Sequence, residues 1–320
     1  MQQGKELLYL SAADVEACRL SLADVDRAVE AMFVAKAAGR TVMKPKMGLH
    51  TPDGALFLAM IGGIEAPATA GMKWVGVAST IAHPNQPHIA GHVVVNDYTT
   101  GMPLAVMDAR WITGVRTASI SAVAAKRLAR KDSTTIGFVA CGVQARANLD
   151  AIKQYFPLKR VRCYSRRRET AEAFAAEARA RGLEAQVTAT AQAAVEGMDI
   201  VVTSVPVVPK PTPWLDAAWL APGSFTSAVD LGYSWISESL GALDRVVTDD
   251  LDQAVTEKLT YPKPYHGEVA GLVAGTTMGR QSDKERTALV FAGIGLADVA
   301  VGAAVYERAR AQGLGRVLRL

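Results

Sequence analysis

The chain has 320 residues, half of them apolar and 21% charged, a balance that argues against extended disorder and allows two domains or one large one. Lys plus Arg exceed Asp plus Glu by only four (35 − 31), too little for a dedicated nucleic-acid binder but compatible with local pockets for a small anion. Three cysteines without a CxxC, a start without a signal-peptide core and no 18-residue apolar run predict a reduced, cytoplasmic protein without a membrane span.

In chain order, the first forty residues read as helical. SAADVEACRL and SLADVDRAVEAMFVAKAAGR each open on a serine cap. In the second, Val25, Val29, Met32 and Phe33 recur at helical spacing and Gly39 can end the run. From Thr41 to about Val106 the texture becomes short, β-branched runs: TVMKPKMGLH, ALFLAMIGG, GMKWVGVAS, GHVVVNDY and LAVMD. Gly, Pro and Asn or Asp separate them, as in TPDGA and AHPNQP, which predicts a sheet with tight turns. Asp108 to Arg130 is Ala-rich and helical.

Strand and helix then alternate. TTIGFVA leads to CGVQARANLDAIKQYF, KRVRCYS to RRRETAEAFAAEARARG, and EAQVTA to TAQAAVEG, with MDIVVTSV, GSFTSAV and DRVVTDD beyond. Strands spaced by helices of 10–15 residues predict a parallel, doubly wound sheet. The last element, ALVFAGIGLADVAVGAAVYERARAQGLG, reads as one long helix.

The run from TTIGFVA into Cys141-Gly142-Val143-Gln144-Ala145 stands where a dinucleotide fold places its glycine turn. There the backbone must approach a pyrophosphate and the next helix must present its N-terminus. The usual GxGxxG or GxGxxA is incomplete, since its first glycine is Ala140. The following strand ends at Ser165, with Arg166, Arg167 and Arg168 next, where an Asp or Glu would read a ribose 2′-hydroxyl. Serine with arginines suits a 2′-phosphate, so NADP(H) is favoured, with NAD(H) as the alternative. The plain reading of RRRE is a solvated helix start.

Lys73 interrupts the apolar run GMKWVGVAS, Lys46 interrupts VMKPKMGL, and Arg116 has small or apolar neighbours in WITGVRTASISA. Cations in such settings need partners: either internal ion pairs or a substrate carboxylate, which Arg grips bidentately. Lys44 and Lys46 alternate to one face of a strand, which favours a shared site. Asp230 follows the strand SFTSAV at the end where open α/β sheets bind ligands, so it can relay a proton, or it can simply start the turn before Gly232. The five histidines show no metal spacing and carry no role. Asp298, in GLADVA, reads as a helix-packing or hydrogen-bonding residue.

Taken together, MKPKMGL, GMKWVGV, TTGMPLAVMD, ITGVRTASISAVAAKRLAR, GFVACGVQAR, the Asp230 strand end and GLADVA resemble the ornithine cyclodeaminase/mu-crystallin family over nearly the whole chain. The resemblance implies an α/β fold: a Rossmann doubly wound domain, residues 121–295, inserted into a mixed α+β sheet domain, residues 1–120 plus 296–320. The latter would bind substrate and form a homodimer. It implies that Lys73 and Arg116 hold the substrate carboxylate beside the nicotinamide, Lys73 being catalytic as well; Lys44 and Met60 are further substrate-binding candidates read from the residues. Lys46 stands where the family usually has an Arg, keeping the charge and losing the fork. Asp230 matches the catalytic acid near the substrate amine. Arg116, Thr117, Cys141, Gly142, Val143, Gln144, Ser165, Arg166, Arg167, Ser204 and Val205 fall on cofactor positions.

Family members differ in reaction. They include cyclodeaminases, alanine dehydrogenases, opine-like synthases, imine reductases and a crystallin branch. Ornithine-using members carry a Glu two residues before the Met of the second strand, and here that position is Leu58. The expectation is therefore NAD(P)H-dependent reduction of a 2-imino acid to an amino acid. The extra Lys44 suggests a dicarboxylic imine such as iminosuccinate. Ornithine cyclodeaminase and a non-catalytic, crystallin-like binding protein are the alternatives. Partners would be the small-molecule substrate and a second copy, with neither nucleic acid nor membrane.

Overall fold

The computed structural model describes residues 4–52, 55–77, 89–206, 212–259 and 261–320; the AHPNQP turn, His83 and His88 lie outside them. The chain divides into two compact units: one runs to Arg116 and resumes at Ile294, the other is Thr117–Gly293.

The first unit opens with β1 (Glu6–Leu10), not with a helix. Leu8 and Leu10 are buried and Tyr9 is exposed, a period of two that fits a strand. Helices α1 (Ala12–Ala17) and α2 (Leu22–Ala37) follow, each started by a capping box, Ser11 with Asp14 and Ser21 with Asp24. Next come β2 (Thr41–Met43), β3 (Met47–His50), β4 (Leu56–Ile64), β5 (Thr69–Val77), β6 (Ile89–Asp97) and β7 (Pro103–Asp108). Asp108 accepts the backbone N–H of Arg110 at 2.9 Å and so starts α3 (Arg110–Leu128), within which the two units divide.

In the second unit β8 (Thr135–Val139), β9 (Arg160–Tyr164) and β10 (Glu184–Val187) alternate with α4 (Val143–Lys153), α5 (Arg168–Ala180) and α6 (Ala191–Val195). Then follow β11 (Ile200–Thr203), β12 (Phe225–Ala228), α7 (Ser237–Leu240), β13 (Arg245–Thr248), α8 (Leu251–Thr256), α9 (Val269–Ala274) and β14 (Thr287–Val290). The first unit closes with α10 (Gly295–Gln312) and β15 (Arg316–Arg319). The final apolar stretch is thus a strand, a turn and a helix. Thr287 to Val290 are buried with β-branched residues at both ends, and Gly293 adopts φ +90°. Periodicity alone does not separate a short buried strand from a helix.

The second unit's sheet has the order β10-β9-β8-β11-β12-β14-β13 and every pair in it is parallel. The chain leaves β8 toward β9 and β10, then returns to β11 on its other side, so the switch point lies between β8 and β11. Trp235, Val139, Val201, Val246 and Val290 share one apolar core there.

The first unit's sheet runs β15-β1-β7-β6-β5-β4-β2, with β3 also on β4. It is antiparallel apart from the β1–β7 pair. Helix α10 packs on one face, across β4, β5 and β6. The approach is close: a Cβ on Gly295 would stand 2.9 Å from the carbonyl carbon of Met60, which only glycine avoids.

Candidate active site

Lys73 sits in the middle of β5, in register with Met60 on β4 and Val93 on β6. All three share the face beneath α10. Because Gly295 lays the first turn of α10 onto β4, Asp298, three residues on, comes down over Lys73. Lys73 Nζ donates to Asp298 Oδ1 at 3.0 Å. Arg116, from α3, brings its Nε to 3.1 Å from the same oxygen, an ion pair without a hydrogen bond.

Exposure is 2% for Lys73, 6% for Arg116 and none for Asp298, so two cations share one carboxylate away from bulk water. Asp298 Oδ2 is buried without a hydrogen-bond partner. Burial, then repulsion from Arg116, push the Lys73 ammonium down from 10.5 to about 8, against the pull of Asp298; Lys46 adds to the depression. Charge not balanced within the cluster is what a substrate carboxylate would neutralise.

The expectation for Lys44 and Lys46 needs correcting. The β2 ladder ends at Met43 opposite Gly62, and the β3 ladder begins at Met47 opposite Ala59. Lys44-Pro45-Lys46 bridges this gap, so alternation along a strand does not apply to them; Pro45 has no N–H to give a ladder. Lys44 is exposed, while Lys46 is half-buried and near enough to Lys73 to depress it. The structure therefore brings Lys46, Met60, Lys73 and Arg116 together and adds Asp298, a hydrogen-bonding residue as the sequence suggested, whose partners the sequence did not name. The available signal was an acid within the apolar run GLADVAVGAAV, together with a buried lysine in need of a counter-charge.

In the second unit, the turn after β8 passes through Ala140 at φ +68°, the left-handed region. Its N–H donates to the Tyr164 carbonyl at 2.9 Å. Gly142 is the N-cap of α4 with no side chain capping it, and nothing lies within 4 Å of where a Cβ would be. The first-turn N–H groups of α4 thus border open space, and with the helix dipole they fit a dinucleotide pyrophosphate. Val143 and Gln144 form that first turn, with Val143 exposed. The Cys141 side chain is buried, its thiol donating to the Tyr164 carbonyl at 3.4 Å.

Arg146 was not singled out in the sequence, although it lies four residues after Gly142, one helical turn on. Its Nη1 donates to the carbonyls of Cys141 at 2.7 Å and Gly142 at 3.1 Å, and its Nε to Glu177 at 2.7 Å, so it pins the turn to α5. Ser165 is half-buried at the end of β9; Arg166 and Arg167 are exposed, and Arg168 pairs with Glu172 at 2.8 Å. Thr117 is buried in α3.

Across the switch point, Ser204 donates its Oγ to the Ala140 carbonyl at 3.2 Å. The next N–H, of Val205, donates to Asp230 Oδ2 at 3.2 Å. Asp230 stands just beyond β12, 3% exposed, and also accepts from Ser234 at 2.7 Å and Thr203 at 3.0 Å. Burial raises its carboxyl above the ordinary range, and these hydrogen bonds only partly offset that. Such an acid can hold a proton at higher pH than an exposed Asp.

Among the described residues, no group of three or more His, Cys, Asp or Glu could hold a metal, and no helix is long and apolar enough to cross a membrane.

A doubly wound parallel sheet with an open glycine turn, joined to a mixed sheet with a buried cation pair, defines an NAD(P)-dependent oxidoreductase acting on amino acids or imines. The chain belongs to the ornithine cyclodeaminase/mu-crystallin family, whose model matches residues 5–313. The alanine dehydrogenase of Archaeoglobus fulgidus is 31% identical over 98% of this chain and 98% of its own. An archaeal alanine dehydrogenase dimer with bound NAD superposes with a TM-score of 0.88 at 31% identity, covering 98% of this chain and 99% of that one. The Thermococcus litoralis Delta(1)-pyrroline-2-carboxylate reductase, in complex with NADH and L-proline, gives 0.88 at 26% identity, covering 97% and 99%.

Proposed function

We propose that the protein uses NAD(P)H to reduce a 2-imino acid, either a cyclic ketimine or the adduct of a 2-oxo acid with an amine, to the amino acid. The observation that carries this reading is the buried Lys73–Arg116 pair with, among the described residues, one carboxylate between them. A 2-imino acid carries a carboxylate next to its reacting carbon, so holding the carboxylate orients the C=N bond.

Arg116 and Lys73, with Lys46 behind them, hold that carboxylate and draw electron density from the imine. Bound nicotinamide supplies a hydride to the imine carbon. Asp230 gives its proton to the nitrogen as the C=N π bond closes onto it, and regains one from solvent. Its raised affinity for a proton suits a group that acts as an acid. Thr117, Cys141, Gly142, Val143, Gln144, Ser204 and Val205 border the cofactor, chiefly through backbone. Ser165, Arg166 and Arg167 favour the 2′-phosphate of NADP(H) over NAD(H).

Lys44, exposed beside this site, suits a second substrate carboxylate, as in iminosuccinate. A second copy of the chain would cover the sheet face opposite α10, where Phe57 and Trp74 stack 5.8 Å apart and Trp74 is 40% exposed.

The test follows NADH and NADPH oxidation with a panel of 2-oxo acids plus ammonia or methylamine, and with cyclic imines such as pyrroline-2-carboxylate. Oxidation with at least one is expected, faster with NADPH. No oxidation with any of them, together with proline formed from ornithine, would replace this reading with the cyclodeaminase.

A further inference from the structure

Asp298 has no duty in the chemistry just described, yet it is the only charged group seen in ion-pair contact with both Lys73 and Arg116 among the described residues. We propose that Asp298 is the positioning residue of this site: its buried carboxylate fixes Lys73 and Arg116 side by side and keeps Lys73 an ammonium, ready for the substrate carboxylate. The role assigned to the substrate rests on the reductase reading above; the hold on Lys73 does not.

The geometry gives Asp298 this part. Both cations reach the same oxygen, Oδ1, at 3.0 and 3.1 Å, so one atom sets the spacing between them. The acid comes from α10, the lysine from β5 and the arginine from α3, so the one carboxylate ties together side chains of three elements. The charged groups facing Lys73 are Asp298, Arg116 and Lys46; its neighbours across the sheet, Met60 on β4 and Val93 on β6, are uncharged. Without the carboxylate, a buried lysine faces two like charges and sheds its proton, and a neutral amine neither attracts a carboxylate nor stays put. Asp298 itself need never touch the substrate.

The decisive measurement is the Lys73 titration, followed by NMR of the full-length protein labelled at lysine Cε and Nζ. The Lys73 resonance is identified by its loss in Lys73→Met. In the wild type it should titrate near 8. In Asp298→Asn the midpoint should fall by at least about one pH unit, and in Arg116→Met it should rise by a similar amount. The same Asn variant should lose the alkaline limb of kcat/KM by a matching displacement and recover most of its activity near pH 6, while Asp298→Glu should keep the limb close to the wild-type position.

A Lys73 midpoint that does not move in folded Asp298→Asn overturns the proposal, as does an activity loss equal at every pH. If the Asn variant fails to fold, Arg116→Met decides: an unmoved midpoint there overturns the shared-carboxylate arrangement. The titration needs no substrate. Expected midpoints with no imine turned over would retire the reductase reading and leave the role of Asp298 standing; turnover with unmoved midpoints would do the reverse.

Discussion

Two buried acids anchor the two units, and their surroundings are opposite. Asp298 faces two cations, and its second oxygen lacks a hydrogen-bond partner. Asp230 faces no cation within ion-pair distance among the described residues, and both of its oxygens are hydrogen-bonded, by Thr203, Ser234 and the Val205 N–H. The first neighbourhood has positive charge in excess of its one carboxylate and few hydrogen bonds. The second is poor in charge, and its burial favours keeping a proton against the pull of the hydrogen bonds it accepts. Identical side chains thus acquire different chemistry from their neighbours alone.

The largest expected effect comes from breaking the charged centre. Lys73→Met should lower kcat/KM for imine reduction by about a thousandfold, while nucleotide binding, read by fluorescence, stays within experimental error. Stability should move the other way. The folded protein holds the Lys73 proton less tightly than the unfolded chain, so between about 8 and 10.5 the unfolded state binds more protons and wild-type stability rises with pH. Lys73→Met should therefore be more stable than the wild type at pH 7 and lose that advantage by about pH 10.5, in paired urea titrations.

Next is Asp230→Asn, which should cut turnover by about a hundredfold with cofactor affinity preserved. Wild-type turnover with intact cofactor binding would remove Asp230 from the chemistry. A smaller effect is expected from Ser234→Ala. It removes one of the bonds that hold the Asp230 carboxylate, at about 1 kcal/mol of stability. It should also let the carboxyl rise further, so any loss of activity caused by deprotonation of Asp230 should move to higher pH. The sign for Asp230 is the reverse of the common aspartate case. A raised carboxyl binds its proton more tightly when folded, so its contribution to stability declines as pH rises above the ordinary carboxylate range.

The smallest effect lies outside both centres: Ala140→Gly should stabilise the second unit by about 1 kcal/mol, by relieving the left-handed backbone at that turn. Destabilisation there would show that the methyl group is packed, which thermal unfolding reads directly.

The alternating half of the molecule was legible because each strand and helix there carries its own boundary signals, from TTIGFVA to MDIVVTSV. Lys73 and Arg116 stood out because cations in apolar runs conflict with burial. What escaped had ambiguous local signals. LLYL and TALV are short apolar runs whose identity as strands depends on partners far away in the chain, β7 and β15 for one, β12 and β13 for the other. Asp298 was legible as a hydrogen-bonding residue, but its partners escaped because they lie on other elements, and nothing in GLADVA names them. Lys44 and Lys46 misled because the sheet edge breaks at Pro45, where strand periodicity stops applying.

The place of β14 also orders events in time. It fills the gap between β12 and β13, so β13, although earlier in the chain, has no strand partner until residues after Thr287 exist. The first unit waits too, since Asp298 and β15 come later still. During synthesis the nucleotide-type sheet is left with an open seam and the sheet with Lys73 is left without its counter-charge, and one late stretch of chain completes both. A chain ending before Thr287 would lack an interior strand in one unit and the covering helix in the other, so neither would survive as a working part.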